Sequence, residues 1–368
     1  MEKINNKEAI SLTVSTSLGI TVFISSQIIA STCLSSSLIN TGYISFVALA
    51  LTIIICLLYK KFIGISFLDI AEFLGGKFFK FIVGICFLFY FIFTASVVLS
   101  KAVNCLQIVY YPMTNVSYTV LLFVFTTCIA CNLKNNGYLR ATFLIVPPVI
   151  VAIIFIFTGN LRNFNYENIY PLLGNGINAT FGVGTTNLYT FGGLAYILFL
   201  PQNLKRPDKF MSISVISTII SSICLTLVVG TTILMFNRNV TSGQIFPLYI
   251  AVRYIEFGTF FQRLDAAFIL VMIIAICSFL GIYGNLCLGI IKDITGISDS
   301  RPLSYPFVLL LYASTLFIDN FFKLELIQDF VFKIIFFAVL SLGIIILISS
   351  NLKKIILNRR ESLWVKIC

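Results

Sequence analysis

The 368-residue chain has no histidine, one tryptophan, and only 14 Asp and Glu against 25 Lys and Arg. Without imidazole it lacks the commonest general base and a common zinc ligand. No other nucleophile–base pair or ligand cluster takes their place, so neither an enzyme nor a bound metal or cofactor is expected. Charge is also missing in a spatial sense. Asp, Glu, Lys and Arg are absent from Ala9–Tyr59, Phe81–Ser100, Ala141–Leu161, Phe210–Asn237, Ala266–Ile291 and Ile334–Leu352. An ion at mid-bilayer costs about 2.5–3.5 kcal/mol, and charge-free stretches of about 20 residues read as membrane spans. So many such runs exclude a soluble fold.

What remains is 59% hydrophobic. The pattern predicts an all-α integral membrane protein, one polytopic domain over residues 1–368. Ten transmembrane helices are expected, at 9–32, 42–59, 80–104, 116–133, 139–159, 183–201, 211–235, 264–291, 303–318 and 329–351. With the N-terminus assigned to the cytoplasm, eighteen of the 25 Lys and Arg residues fall on the inner side, among them Lys60, Lys61, Lys205, Arg206, Lys353 and Lys354. Positive charge resists translocation, so both termini are expected inside, with an even number of spans. The net charge of +11 is sorted by membrane side, which argues against nucleic acid as its partner. The basic tail reads as a topology signal, with contact to anionic membrane lipid as the other reading.

Lys3 and Lys7 before an apolar run resemble a signal peptide, but the run is too long for one, and a retained first helix is expected. Most of the ten cysteines lie within spans, where cysteine packs as a small apolar residue. Cys128 and Cys131 form a single C-x-x-C with no second pair, which suits helix packing rather than metal or redox chemistry.

Ten spans divide into two five-helix halves. An odd count per half forces opposite orientations, the five-plus-five inverted repeat of many secondary transporters, in which helices 1 and 6 are broken. Span 1 carries Ser15-Thr16-Ser17-Leu18-Gly19-Ile20-Thr21 and span 6 carries Thr190-Phe191-Gly192-Gly193-Leu194. Unwound backbone there would present N–H groups and a half-helix N-terminus to a carboxylate, and freed carbonyls to an ammonium. A zwitterionic amino acid would need no charged side chain; a sugar would also fit, through hydroxyls. The candidate substrate-binding residues are therefore Thr16, Ser17, Leu18, Gly19 and Ile20, with Thr190, Phe191, Gly192 and Gly193. Tyr90 and Thr94, one turn apart in span 3, join them, with Tyr283 and Asn285 of span 8 left between pocket and packing. Lys101 and Asp265 read as interfacial anchors rather than proton relays, so proton coupling is not expected, whereas sodium held by carbonyls and hydroxyls stays compatible. Pro147 and Pro148 are expected to kink span 5. Phe246–Arg263, with Arg253 and Glu256 at i, i+3, reads as a surface helix at the outer interface, a lid being the second reading.

Three stretches carry a family resemblance: Tyr170-Pro171-Leu172-Leu173-Gly174-Asn175-Gly176-Ile177 with Thr190–Gly193 and Phe199-Leu200-Pro201; Phe246-Pro247-Leu248 through Arg253-Tyr254-Ile255-Glu256 to Phe261–Ala266; and the glycine-containing first span ending near Gln27. Together they resemble the spore germination receptor B-subunit family, permease-like proteins of the amino acid–polyamine–organocation superfamily. The resemblance implies a sensor in the spore inner membrane. It would bind a small-molecule nutrient, commonly an amino acid, between spans 1 and 6 and signal through germination receptor A and C subunits. The rival is an amino acid transporter of the same superfamily. Members often carry an acid after the phenylalanine–glycine of span 6. Gly193 stands there instead, which implies a different ligand or a different coupling.

Overall fold

The computed structural model describes residues 3–133, 135–174, 176–236, 246–255, 264–297, 299, 301–318 and 321–367. Its helices are α1 (Asn6–Ile20), α2 (Ser26–Cys33), α3 (Ser37–Tyr59), α4 (Phe67–Val109), α5 (Val116–Asn132), α6 (Asn135–Gly159), the five-residue α7 (Gly193–Ile197), α8 (Phe210–Met235), α9 (Pro247–Arg253), α10 (Leu264–Thr295), α11 (Ser304–Phe317), α12 (Phe321–Asp329) and α13 (Phe336–Ile367). Among the described residues the only β pairing is an isolated parallel bridge between Ile4 and Leu204. Among the described residues, six helical stretches are long and apolar enough to cross a membrane: Asn6–Phe62, Phe67–Val109, Arg140–Gly159, Pro207–Met235, Asp265–Thr295 and Lys323–Ile356. Asn6–Phe62 contains two of the spans expected from the sequence, because α2 ends at Leu34 (φ 52°, ψ −124°) and packs back against α3.

Local chemistry sets several ends. Glu8 accepts the Asn5 N–H at 3.0 Å in a capping box that opens α1, and the Asn115 side chain accepts the Ser117 N–H at the start of α5. Span 3 begins thirteen residues before its expected start at 80. A bend at Gly76, whose φ of 79° suits glycine, turns a polar first segment that places Asp69 and Glu72 on Lys80 at 2.7 and 2.9 Å. Pro147 and Pro148 lie inside α6.

Within lipid, polar side chains must be satisfied locally, and here the hydroxyls mostly bond their own helices. Thr13 donates to the Ala9 carbonyl, Thr52 to Ala48, Thr127 to Phe123, Ser217 to Ile213, Thr218 to Ser214 and Thr315 to Leu311, at 2.7–3.0 Å. Bonds between helices are fewer, such as the Thr52–Thr218 hydroxyl pair at 3.0 Å that joins α3 to α8. At the centre stands α1, buried at every position from Ser11 to Ile20 and packed on α6, α8 and α10, as a helix surrounded by protein requires.

The loop after α6 docks on the turn between α2 and α3. Ser35 donates to the Pro171 carbonyl at 2.6 Å, and Thr180 donates to Ser36 Oγ at 2.8 Å. Gly174, at φ 51°, is pressed so close that an added Cβ would lie 2.5 Å from the Cys33 carbonyl oxygen. Asn175 lies outside the described residues. Over Pro247–Arg253 the surface-helix reading of Phe246–Arg263 is corrected: α9 is seven residues long, with Pro247, Leu248, Tyr249, Ala251 and Val252 buried, and it packs on α8 and α10. Glu256, and with it the Arg253–Glu256 spacing, lies outside the described residues, as do Phe261, Gln262 and Arg263.

Gly174→Ala combines a left-handed φ with a backbone clash and should destabilise the protein by about 1–3 kcal/mol. Gly42→Ala, in α3 with open space around its Cα, should leave stability unchanged or raise it by up to about 1 kcal/mol. Thermal unfolding of the two variants in detergent checks the contrast.

Candidate functional site

Span 6 is interrupted. After a π turn at Asn178–Gly182 it runs as 3-10 helix from Val183 to Thr190, leaves helical geometry at Phe191 (φ −88°, ψ 53°), and resumes as α7 at Gly193. The two glycines let this break meet α1 without side chains between. The Gly193 N–H donates to Ser17 Oγ at 3.3 Å. A Cβ on Gly193 would stand 2.8 Å from that oxygen, 3.1 Å from the Thr13 carbonyl oxygen and 3.2 Å from Thr16 Oγ1. A Cβ on Gly192 would stand 2.6 Å from Ile20 Cδ1 and 3.3 Å from the Tyr283 hydroxyl. An acidic side chain at 193 does not fit this packing.

Span 1 is not broken where expected. The α-helix continues through Ser15–Ile20, and Gly19 serves close packing, since a Cβ there would collide with the Phe279 ring. The irregularity falls later, as a π turn at Thr21–Ser25, with the Ser25 hydroxyl bonded to the Thr21 carbonyl at 2.5 Å. A π turn widens a helix without freeing a run of main-chain groups, so span 1 offers a hydroxyl, Ser17, rather than bare backbone. Thr16 bonds the Thr13 carbonyl at 2.7 Å, Thr190 bonds the Asn187 carbonyl at 2.9 Å, and Leu18 and Ile20 are buried packing.

Tyr90 and Thr94 lie one layer away, linked to the break through rings rather than hydrogen bonds: Tyr90 on Phe91 at 5.1 Å, Phe91 on Tyr283 at 5.4 Å, Tyr283 on Phe279 at 4.3 Å. The hydroxyls of Tyr90, Thr94 and Tyr283 are buried without hydrogen-bond partners among the described residues. Unpaired buried hydroxyls are costly and mark places where a ligand or water completes the bonding. Asn285 instead bonds the Gly281 carbonyl of its own helix at 2.9 Å. Residues the sequence reading did not place here are Ser15 and Ser278, whose hydroxyls meet at 3.3 Å, with Tyr138 donating to the Ser278 carbonyl at 3.1 Å. The i, i+4 pair Phe279 and Tyr283 was the available signal.

The space between the two helices is nearly closed. A cavity of about 10 Å³, lined by Thr13, Ser17, Phe191, Gly193, Leu194 and residues of α8, has room for one water at most. Among the described residues, no group of three or more Cys, Asp or Glu forms a metal-binding set.

The anchor readings of Lys101 and Asp265 are corrected. Lys101 is fully buried in α4, donates to Gln27 Oε1 of α2 at 2.7 Å and stands 5.8 Å over the Phe246 ring. Asp265, 9% exposed, accepts from the Tyr110 hydroxyl at 3.2 Å and the Tyr249 hydroxyl at 3.4 Å. Outside the membrane spans, burial and the neighbouring carboxylate both push the Tyr249 phenol above its ordinary value. These groups tie α2, α4, α9 and α10 together at the end away from the N-terminus.

The profile of the spore germination protein family matches residues 3–323, most of the chain. The chain belongs to the spore germination protein family. No curated protein matches this germination protein. Its fold is similar to that of a Na+-coupled sialic acid symporter in a substrate-bound, outward-open state (TM-score 0.62, 12% identity, 92% of this chain and 78% of that one). It is also similar to Mhp1, a nucleobase-cation-symport-1 family transporter, in a closed conformation with bromovinylhydantoin bound (TM-score 0.64, 12% identity, 89% and 75%). The inward-facing form of Mhp1 matches with a TM-score of 0.51, 12% identity, 94% and 91% coverage. At these identities the likeness establishes a transporter-type helical fold for the germination protein. Family and fold are those of membrane permease-like proteins rather than enzymes.

The Gly193–Ser17 contact generates a double-mutant test. Gly193→Ala should lower the thermal midpoint more than Gly192→Ala, whose clash is with the flexible end of Ile20. Adding Ser17→Ala to Gly193→Ala should recover part of the loss, giving a coupling of about 0.5–3 kcal/mol in unfolding measurements of the four species.

Proposed function

We propose that this chain is the nutrient-binding subunit of a spore germination receptor, and that it takes a small neutral or zwitterionic molecule, an amino acid first, between spans 1 and 6. The observation that carries the reading is the broken span 6 held closed by Ser17. The Gly193 N–H at the start of α7 is the sort of donor a ligand carboxylate seeks, and in the closed state a hydroxyl of span 1 stands in the ligand's place. A ligand would displace that hydroxyl, open the 10 Å³ space and engage the unpaired hydroxyls of Tyr283, Tyr90 and Thr94. Because it binds the open arrangement better than the closed one, its arrival shifts the population between them.

In this reading the chain crosses the membrane ten times as two oppositely oriented five-helix halves, with both termini in the cytoplasm. It works in the spore inner membrane with receptor A and C subunits. A second reading, amino acid transport, is favoured by the likeness to cation-coupled symporters. Spores of a deletion strain tested against a panel of amino acids and sugars, together with labelled uptake by purified protein in liposomes, separate the two. Loss of one nutrient response without uptake supports the receptor; concentrative uptake supports the carrier.

The unpaired hydroxyls supply the residue-level test. Tyr90→Phe and Tyr283→Phe remove buried polar atoms that the resting protein leaves unbonded, so each should hold or raise stability, by up to about 1 kcal/mol. Each should also move the germination dose–response by roughly tenfold, the value of one lost ligand hydrogen bond of about 1.4 kcal/mol. An unchanged dose–response in both variants would remove Tyr90 and Tyr283 from the site.

A further inference from the structure

A cavity of about 550 Å³ opens at the N-terminal end of the molecule, far larger than the space at the span 6 break. Its walls come from three parts of the chain: Asn5, Lys7 and Glu8 at the start of α1, Phe143 of α6, and Lys205 with Arg206 in the segment after span 6. Three of these side chains are cations and one is an acid. The acid is already engaged, since Glu8 accepts the Asn5 N–H at 3.0 Å. Among the described residues, Lys7, Lys205 and Arg206 make no ion pair.

The main chain holds the cations in register. The Ile4 N–H donates to the Asn203 carbonyl at 2.7 Å and the Lys205 N–H donates to the Ile4 carbonyl at 3.0 Å, with Ile4 and Leu204 both buried. This stitch fixes Lys205 and Arg206 beside the first turn of α1. With Glu8 counted, three cations against one carboxylate leave a net charge of +2 around the cavity, which a further anion would neutralise. Phosphate oxygens accept from several donors at once, and guanidinium engages phosphate in bidentate fashion. The volume suits a small molecule or a headgroup rather than a bare ion.

We propose that this cavity is a phosphate-binding site that clamps the N-terminal segment to the end of span 6. The phosphate comes either from an acidic phospholipid headgroup or from a soluble phosphate compound. Bridging Lys7 to Lys205 and Arg206, it favours the state in which the Ile4–Leu204 stitch is intact. The inference stands apart from the germinant reading, because the cavity does not include the break at Phe191–Gly193.

The test uses the full-length protein in nanodiscs of phosphatidylcholine alone or with one-fifth phosphatidylglycerol. In a parallel series, inorganic pyrophosphate is titrated against sodium chloride of equal ionic strength. The thermal midpoint is the readout. Phosphatidylglycerol or pyrophosphate should raise it by about 3 °C or more, as a ligand specific to the folded state does. Lys205→Gln with Arg206→Gln should abolish the rise, while Lys60→Gln with Lys61→Gln, basic residues outside the cavity, should keep it. A response to phosphatidylglycerol alone assigns the headgroup, and a response to pyrophosphate alone assigns the soluble compound. No response to either overturns the proposal, as does an equal loss in the Lys60/Lys61 control. If the Lys205/Arg206 variant fails to fold, Lys7→Gln carries the same comparison.

Discussion

A main-chain polar group in hydrocarbon has no water to turn to, and that single constraint organises this molecule. Nearly every crossing solves it by helix. Span 6 does not, and its break at Phe191 is enclosed by protein: Ser17 receives the Gly193 N–H, while earlier in the same span the Asn187 side chain donates to the Thr32 hydroxyl and to Asn40 Oδ1. The central burial of α1 follows from this need, since α1 supplies the partner that the interrupted segment requires.

The loop after α6 serves the same end. The run around Pro171 and Gly174 folds over the turn joining α2 to α3 and meets Ser35, Ser36 and Cys33 by backbone and hydroxyl contacts. It thereby covers polar groups where the chain reverses. Together with Lys101 on Gln27 and two tyrosines on Asp265, it cross-links the end away from the N-terminus.

The sequence was most legible where one principle acts alone. Absence of charge located the apolar helices, and paired glycines after a Thr-Phe located the break in span 6. It misled where a residue serves two purposes. Gly19 looks like a breaker, yet in an α-helix it opens a notch for Phe279, a contact no local pattern reveals. The π turn at Thr21–Ser25 has no breaker residue to announce it. Lys101 looked interfacial because Gln27, whose amide oxygen receives its ammonium, lies 74 residues away in sequence. The beginning of span 3 was hidden because Asp69, Glu72, Lys77 and Lys80 read as loop, although two of them neutralise Lys80 along a bent helix. The empty hydroxyls of Tyr90, Thr94 and Tyr283 are a fact about surroundings, which a linear string does not contain.

The hydroxyls that bond carbonyls of their own helices have one further consequence. A rod whose polar atoms are quenched internally presents neighbours with a surface that is slick in hydrogen-bonding terms. When two such rods slip or rotate past each other, few directional bonds must rupture, and dispersion contacts re-form in the new register. The bundle is therefore built less like a riveted frame than like a set of greased pistons, with hydrogen bonds tying its elements at both ends and few directional bonds between the rods themselves.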